Sequence, residues 1–217
     1  MNRPATPINE KNLYLQAKYN ITAWLYDILD YPWELQYKRW RPVLLKDVRG
    51  TVLEAGVGTG HNLKYYHPGV KLTAFDISEE MLKKAAKRGK SAACEIEFLQ
   101  QDATIMESIP SGHFDWVFST FLCCVMPDEL QPLAIKQFER VLKPGGRFLL
   151  LEMKYPANPI LKKIMQITAP FVEKVYGARF DRHTLEFIKE SSKLKITKTY
   201  YLKRDIYLVI EGVRVKG

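Results

Sequence analysis

Long apolar runs are absent from this 217-residue chain. The longest are Phe148–Leu151 and the stretch from Trp116 to Met126, which Ser119 and Thr120 interrupt. Neither approaches the roughly 18 residues that a membrane-spanning helix requires. The N-terminal MNRPATPINEK has no apolar segment behind Arg3, so it does not read as a secretory signal, and a cytoplasmic protein is the expectation. Cysteine is scarce. Cys94, Cys123 and Cys124 are three in number and two are adjacent, which excludes an ordered disulfide framework and any metal-binding spacing. Adjacent cysteines in an apolar run point to buried packing. The four histidines (His61, His67, His113 and His183) are scattered, and no nucleophile elbow or Ser/His/Asp order stands out. His183 falls in the region expected over the pocket, although surface placement suits it better.

Charge of one sign is in excess. The 33 Lys and Arg against 24 Asp and Glu give +9 at neutral pH. A cationic surface attracts anions. The basic residues are dispersed, with no dense tract interleaved with Gly or aromatics, so no nucleic-acid partner is expected. An apolar fraction of 47% is that of a globular chain. Repeats, linkers and low-complexity segments are missing, and the whole of 1–217 reads as one domain.

Helical spacing of Leu13, Ala17, Ile21, Trp24 and Ile28 predicts an amphipathic helix over 11–30, and a second helix is expected from Trp33 to Leu45, limited by Pro42. From Gly50 the pattern alternates. Buried strands are predicted at 51–55, 70–75, 95–99, 114–120 and 147–151. Ser78 can cap the helix after the second strand, with Gly89 at its stop, and Asp128 with Gln131 makes a capping box for a helix running to Leu142. Lys143–Gly146 reads as a turn. Strand and helix in alternation specify parallel βαβ units. The tail differs: strands at 196–202 and 206–215 are joined by a turn too short for a crossover, which makes them an antiparallel hairpin. Asn158 to Ser192 is mostly helical. The expected fold is α/β, a doubly wound, mostly parallel seven-stranded sheet closed by that hairpin.

The chemistry is carried by Glu54-Ala55-Gly56-Val57-Gly58-Thr59-Gly60, directly after a buried strand. Glycines allow a tight turn and bring a ligand close to bare backbone. In open α/β sheets the ligand crevice lies at this carboxyl edge. A dinucleotide fingerprint G-x-G-x-x-G counted from Gly56 would need glycine at position 61, where His61 stands, so a pyrophosphate cofactor is disfavoured. Asp76 ends the next strand, 18 residues after Gly58, where a carboxylate can accept from both ribose hydroxyls. Asp102-Ala103 ends the third, where a carboxylate can meet an adenine amino group.

This set resembles the class I S-adenosylmethionine-dependent methyltransferases, with their Rossmann-like sheet. The turn Leu142–Gly146 and the closing hairpin are similar to that family as well. The resemblance implies that Glu54, Gly56, Gly58 and Gly60 hold the methionine part, Asp76 the ribose, and Asp102 with Ala103 the adenine. Ile77, Met81 and Ser119 complete the implied cofactor set. It divides the chain into a helical lid (1–48), a cofactor-binding core (49–155), a helical substrate cap (156–192) and the hairpin (193–217). Tyr26-Asp27, the run Asn62–Tyr66 after the glycine loop, and Val125–Asp128 are similar to the branch of ubiquinone/menaquinone and phosphatidylethanolamine N-methyltransferases. Ser119–Leu122 lacks the Asp/Asn-Pro-Pro-Tyr pattern of base-methylating enzymes.

Methyl transfer from a sulfonium needs proximity and orientation more than a catalytic constellation. Tyr19 and Tyr26 are the candidates for lining the methyl site. The expected acceptor is a phospholipid headgroup or other lipid-like amphiphile, with peripheral contact to anionic membrane. The alternatives are a small soluble thiol or other small molecule, and a non-catalytic binding module on the same fold.

Overall fold

A computed structural model describes residues 8–216. Seven strands form one sheet: β1 (Thr51–Ala55), β2 (Lys71–Asp76), β3 (Glu95–Gln100), β4 (Phe114–Thr120), β5 (Leu142–Met153), β6 (Leu194–Tyr201) and β7 (Tyr207–Arg214). Their order is β3-β2-β1-β4-β5-β7-β6. The first five are parallel, and β7 runs antiparallel between β5 and β6. Arg204 and Asp205, both with positive φ, turn the closing hairpin as expected.

Parallel pairs force crossovers, and the crossovers cover both faces. Leu53 and Phe75 pack with α3 (Gln131–Val141) and α5 (Thr184–Glu190) on one side. Val52, Leu72 and Phe118 pack on the other with α2 (Glu79–Gly89) and the end of α1 (Glu10–Leu45). The strand order reverses between β1 and β4, so their carboxyl ends open the crevice that such a switch point creates.

Three local expectations need correction. α1 is one helix of 36 residues rather than two, with Pro32 and Pro42 inside it. Pro32 removes the bond to the Ile28 carbonyl, but both residues lie on the solvent side, where water can replace it. The packed inner face then keeps the helix continuous, and the Tyr176 hydroxyl donates to the Leu29 carbonyl beside the break. Gln131 does not complete a capping box. A 3₁₀ turn, Asp128–Leu130, precedes α3, and the Gln131 amide donates to the Asp128 carboxylate and to the carbonyls of Cys123 and Met126, tying that loop down. Lys143–Gly146 lies within β5 as an insertion: Leu142 pairs with Phe114 and Arg147 with Trp116. Ser78 caps α2 as read, accepting from the Met81 N–H. Cys123 and Cys124 are fully buried free thiols.

The fourth helix, α4 (Pro159–Tyr176), buries no residue completely. It begins at the Asn158 cap and ends on Gly177 at φ 77°.

Glycine matters at two loop positions for different reasons. At Gly60 (φ 85°) a Cβ would lie 2.9 Å from Ala85 Cα, where α2 meets the loop. At Gly58 (φ 55°) it would meet nothing within 4 Å. Gly60→Ala is therefore expected to cost about 2–3 kcal/mol and Gly58→Ala about 1 kcal/mol, read from urea unfolding.

Candidate functional site

A cavity of about 510 Å³ lies at the carboxyl ends of β1, β2 and β4, within the range of small-molecule sites. Its floor is the glycine loop and the ends of β2 and β3. α1 forms the lid and α4 adds Met165, Phe171 and Val172 to the wall.

α1 is tied down along its length. At one end Asn12 donates its amide to both oxygens of Asp102, each at 2.9 Å, and the Asn9 N–H donates to one of them. Asn20 accepts from the Ser78 hydroxyl. In the middle Asp27 accepts from Thr59 at 2.9 Å and pairs with Lys84 and Arg88. Burial opposes ionisation, but His61, Lys84, Thr59 and Arg88 together hold its carboxyl far below the usual range. At the other end Arg41 pairs with Glu34 and donates to Asn62, whose amide donates to Glu54.

Asp76 accepts from the Gly58 and Ser78 N–H groups, both at 2.9 Å, yet burial pushes it up to about 6. Burial also pushes Glu54 up to about 7, against the hydrogen bond from Asn62. Glu152, which accepts from the Cys123 and Cys124 N–H groups under the loop after β4, is likewise raised by burial to about 7. Phe121 takes a positive φ of 62° just after β4, and its ring lies 4.9 Å from that of Tyr37.

Gly56, Gly58, Asp76, Ile77, Met81, Asp102 and Ala103 all line the cavity, as do Tyr19 and Tyr26. The Tyr19 hydroxyl is spent on the Tyr176 carbonyl at 2.7 Å, whereas that of Tyr26 has no hydrogen-bond partner among the described residues. Glu54, Gly60 and Ser119 stand behind the wall. Ser119 is fully buried and donates to the Ala55 carbonyl, linking β4 to β1. Gly60 serves the packing against α2. His183 is exposed and bonds Asp128, while His61 is the histidine lining the cavity. Sequence reasoning also missed Asn12, Asp30, Arg41 and Asn62. Their only sequence signal is that Asn12, Asp30 and Arg41 share the inner face of a helix too long to read as one piece.

The residues fit S-adenosylmethionine. Asp76 and Asp102 present the cavity with carboxylates, and Glu54 stays one layer back against Asn62 and Tyr66. Gly58 is open where a side chain would stand. Asp76 lines the cavity, its carboxylate fixed by the backbone of the glycine loop and of the turn after β2.

Residues 52–146 match the family described as "Methyltransferase domain". The chain is 32% identical over 161 residues to a demethylmenaquinone methyltransferase of Staphylococcus aureus, covering 70% of this chain and 65% of the relative. The chain thus matches less than two thirds of the length of that relative. Among solved structures it is similar in fold to the N-methyltransferase NodS of Bradyrhizobium japonicum (TM-score 0.63, 15% identity, 86% of this chain and 99% of that one). It is similar also to magnesium protoporphyrin IX methyltransferase of Synechocystis with bound S-adenosylhomocysteine (TM-score 0.70, 14% identity, 94% and 100%).

The raised carboxyls Glu54, Asp76 and Glu152 bind protons more tightly folded than unfolded. Stability is then fully present near their unfolded values, 3.8 to 4.5, and falls as pH rises through about 6 to 7. The melting temperature of the ligand-free protein should drop from about pH 5 to about pH 8, and Glu54→Gln should flatten that slope. Sheet topology and these likenesses agree: the chain has the Rossmann-like fold of these neighbours, and residues 52–146 are similar to the methyltransferase domain family.

Proposed function

We propose that the protein is an S-adenosylmethionine-dependent methyltransferase acting on a lipid-like amphiphile. The observation that carries this is the placement of Gly58, Asp76 and Asp102 around one cavity at the switch point, under a roof of apolar side chains from α1 and α4. When bound, S-adenosylmethionine supplies a sulfonium methyl group for in-line transfer. The chain's own residues orient and exclude water. Asp76 offers its oxygens to the ribose, and Glu54, one layer behind the wall, anchors Asn62 and through it Arg41. Tyr19 and Tyr26 line the methyl site, and Tyr26 keeps its hydroxyl free to meet the acceptor. The name of the S. aureus relative supports a quinone-like lipid acceptor beside a phospholipid headgroup. A small thiol is the second reading, and the apolar wall of Met165, Phe171 and Val172 favours the amphiphile over it.

Surface chemistry supports contact with anionic membrane. The outer face of α1, opposite Tyr19 and Tyr26, carries no charged residue from Leu13 to Leu35. Tyr14, Ile21, Trp24, Ile28 and Tyr31 are each more than 60% exposed on it. On α4, Ile160, Ile164, Ile167 and Phe171 form a second exposed stripe beside Lys162, Lys163 and Lys174. An apolar stripe with flanking lysines and a net charge of +9 suits a lipid surface.

Calorimetry is expected to show S-adenosylmethionine binding in the wild type and at least a tenfold loss in Asp76→Ala. Labelled methyl should pass to lipid acceptors and not to RNA. The wild type should sediment with phosphatidylglycerol vesicles at low salt, and Trp24→Glu with Ile28→Glu should release it. No sedimentation at low salt would sink the membrane contact while leaving the cofactor reading intact.

A further inference from the structure

Three carboxylates line the cavity: Asp30, Asp76 and Asp102. Asp76 accepts two backbone N–H groups. Asp102 accepts from Asn9, Asn12 and Thr104. Asp30 is only 9% exposed and has no hydrogen-bond donor among the described residues. A partly desolvated carboxylate that meets no protein donor and opens onto a ligand cavity marks function more often than structure.

We propose that Asp30 is the proton acceptor of the reaction, taking the proton that the methylated atom sheds. This rests on the methyltransferase reading. Its place on α1 supports it. Asp30 follows Tyr26 by one turn on the same inner face. It lies between Asp27, which Thr59 holds to the glycine loop, and Arg41, which reaches Asn62 and Glu54. Trp33 and Tyr37 line the cavity on either side of the next turn. The other acids of this region are engaged: Asp27 by Thr59, Lys84 and Arg88, and Glu34 by Arg41 at 2.5 Å. Asp30, Glu34 and His61 could in principle surround a metal ion, their ligand atoms lying within 4.8 Å of one another. The Arg41 guanidinium already supplies the cation there.

The step balances. An electron pair of the acceptor X–H (a lone pair on nitrogen, oxygen or sulfur, or a π pair of the hydroquinone ring) forms the new bond to the methyl carbon, the carbon–sulfur pair passes to sulfur, and the proton passes from X to an Asp30 oxygen. A sulfonium and a carboxylate become a thioether and a carboxylic acid. Two opposite charges disappear inside an apolar cavity, and the proton later returns to solvent.

Burial raises Asp30 to about 6. The imidazole of His61 and the guanidinium of Arg41 oppose that rise, and Glu34 and Asp27 add to it. Tyr26 and Tyr37 also face it. A base of this strength is mostly ionised at pH 7 and still well matched for proton transfer.

The test compares wild type with Asp30→Asn and Asp30→Glu. Acceptor probes are a short-chain prenyl naphthohydroquinone, phosphatidylethanolamine and dodecanethiol, each in detergent micelles. Calorimetric binding of S-adenosylmethionine should stay within about twofold in both variants. Asp30→Asn should lower kcat by roughly 10²–10⁴-fold, the range for general base catalysis. It should also remove the acid limb of the pH profile near 6, and Asp30→Glu should restore part of the rate. Carbon-13 NMR of aspartate carboxyls should show a group titrating near 6 that vanishes in Asp30→Asn. Turnover of Asp30→Asn within threefold of wild type, or no such titration, overturns the proposal. Cofactor binding with no probe methylated by wild type overturns it together with the amphiphile reading. Absence of cofactor binding in wild type refutes the methyltransferase reading itself.

Discussion

The register of α1 along the carboxyl edge of the sheet sets the geometry of everything above the glycine loop. Helix and sheet are joined there by polar pairs rather than by a broad apolar seam. Asn12 meets Asp102, Asp27 meets Thr59, and Arg41 reaches Glu54 through Asn62. Each pair needs both partners at hydrogen-bond distance, and a slide of one turn, about 5.4 Å, would break all of them at once. The apolar core lies under the last turns of the helix, at Leu44 and Leu45. The earlier turns depend on these ties, and so do the positions of Tyr19, Tyr26 and Asp30.

Electrostatics of the cavity follow from that covering. α1 removes water from Glu54, Asp76 and Asp30, and all three carboxyls rise above their ordinary values. Asp27, on the same helix, goes the other way because Lys84, Arg88, Thr59 and His61 surround it. Two acids one turn apart are thus separated in proton affinity by their neighbours alone. The poised carboxyls suit a cationic ligand, whose arrival would stabilise their ionised forms.

What was legible in the sequence was what is local. The strands, the turn at Gly56–Gly60 and the acids at the ends of β2 and β3 depend on residues within a few positions of each other, and the fold placed them as read. The closing hairpin was readable because three residues cannot carry a parallel crossover. Other features depended on distant partners. The apolar spacing read as two helices, the second limited by Pro42, and the tertiary contacts of the inner face join them into one. His61 looked like a mere departure from a glycine pattern, yet it faces the cavity, while His183 found Asp128 at the surface. Glu54, Gly60 and Ser119 belong to the motif by spacing but stand one layer behind the ligand wall. No periodicity distinguishes a residue that touches a ligand from one that supports its neighbour.

The pairing of Asn12 with Asp102 has a kinetic meaning. The Asn12 side chain presents an N–H₂ group to that carboxylate, the same kind of donor that an adenine offers. For a ligand amine that comes to Asp102, the first turn of α1 would be a tethered competitor at that end of the cleft. An incoming amine exchanges with it at nearly constant hydrogen-bond count, so little enthalpy separates the two arrangements. The observed dissociation constant is then the intrinsic one divided by the fraction of molecules in which the turn has lifted. Residence time of such a ligand would report the closing of the first turn of α1.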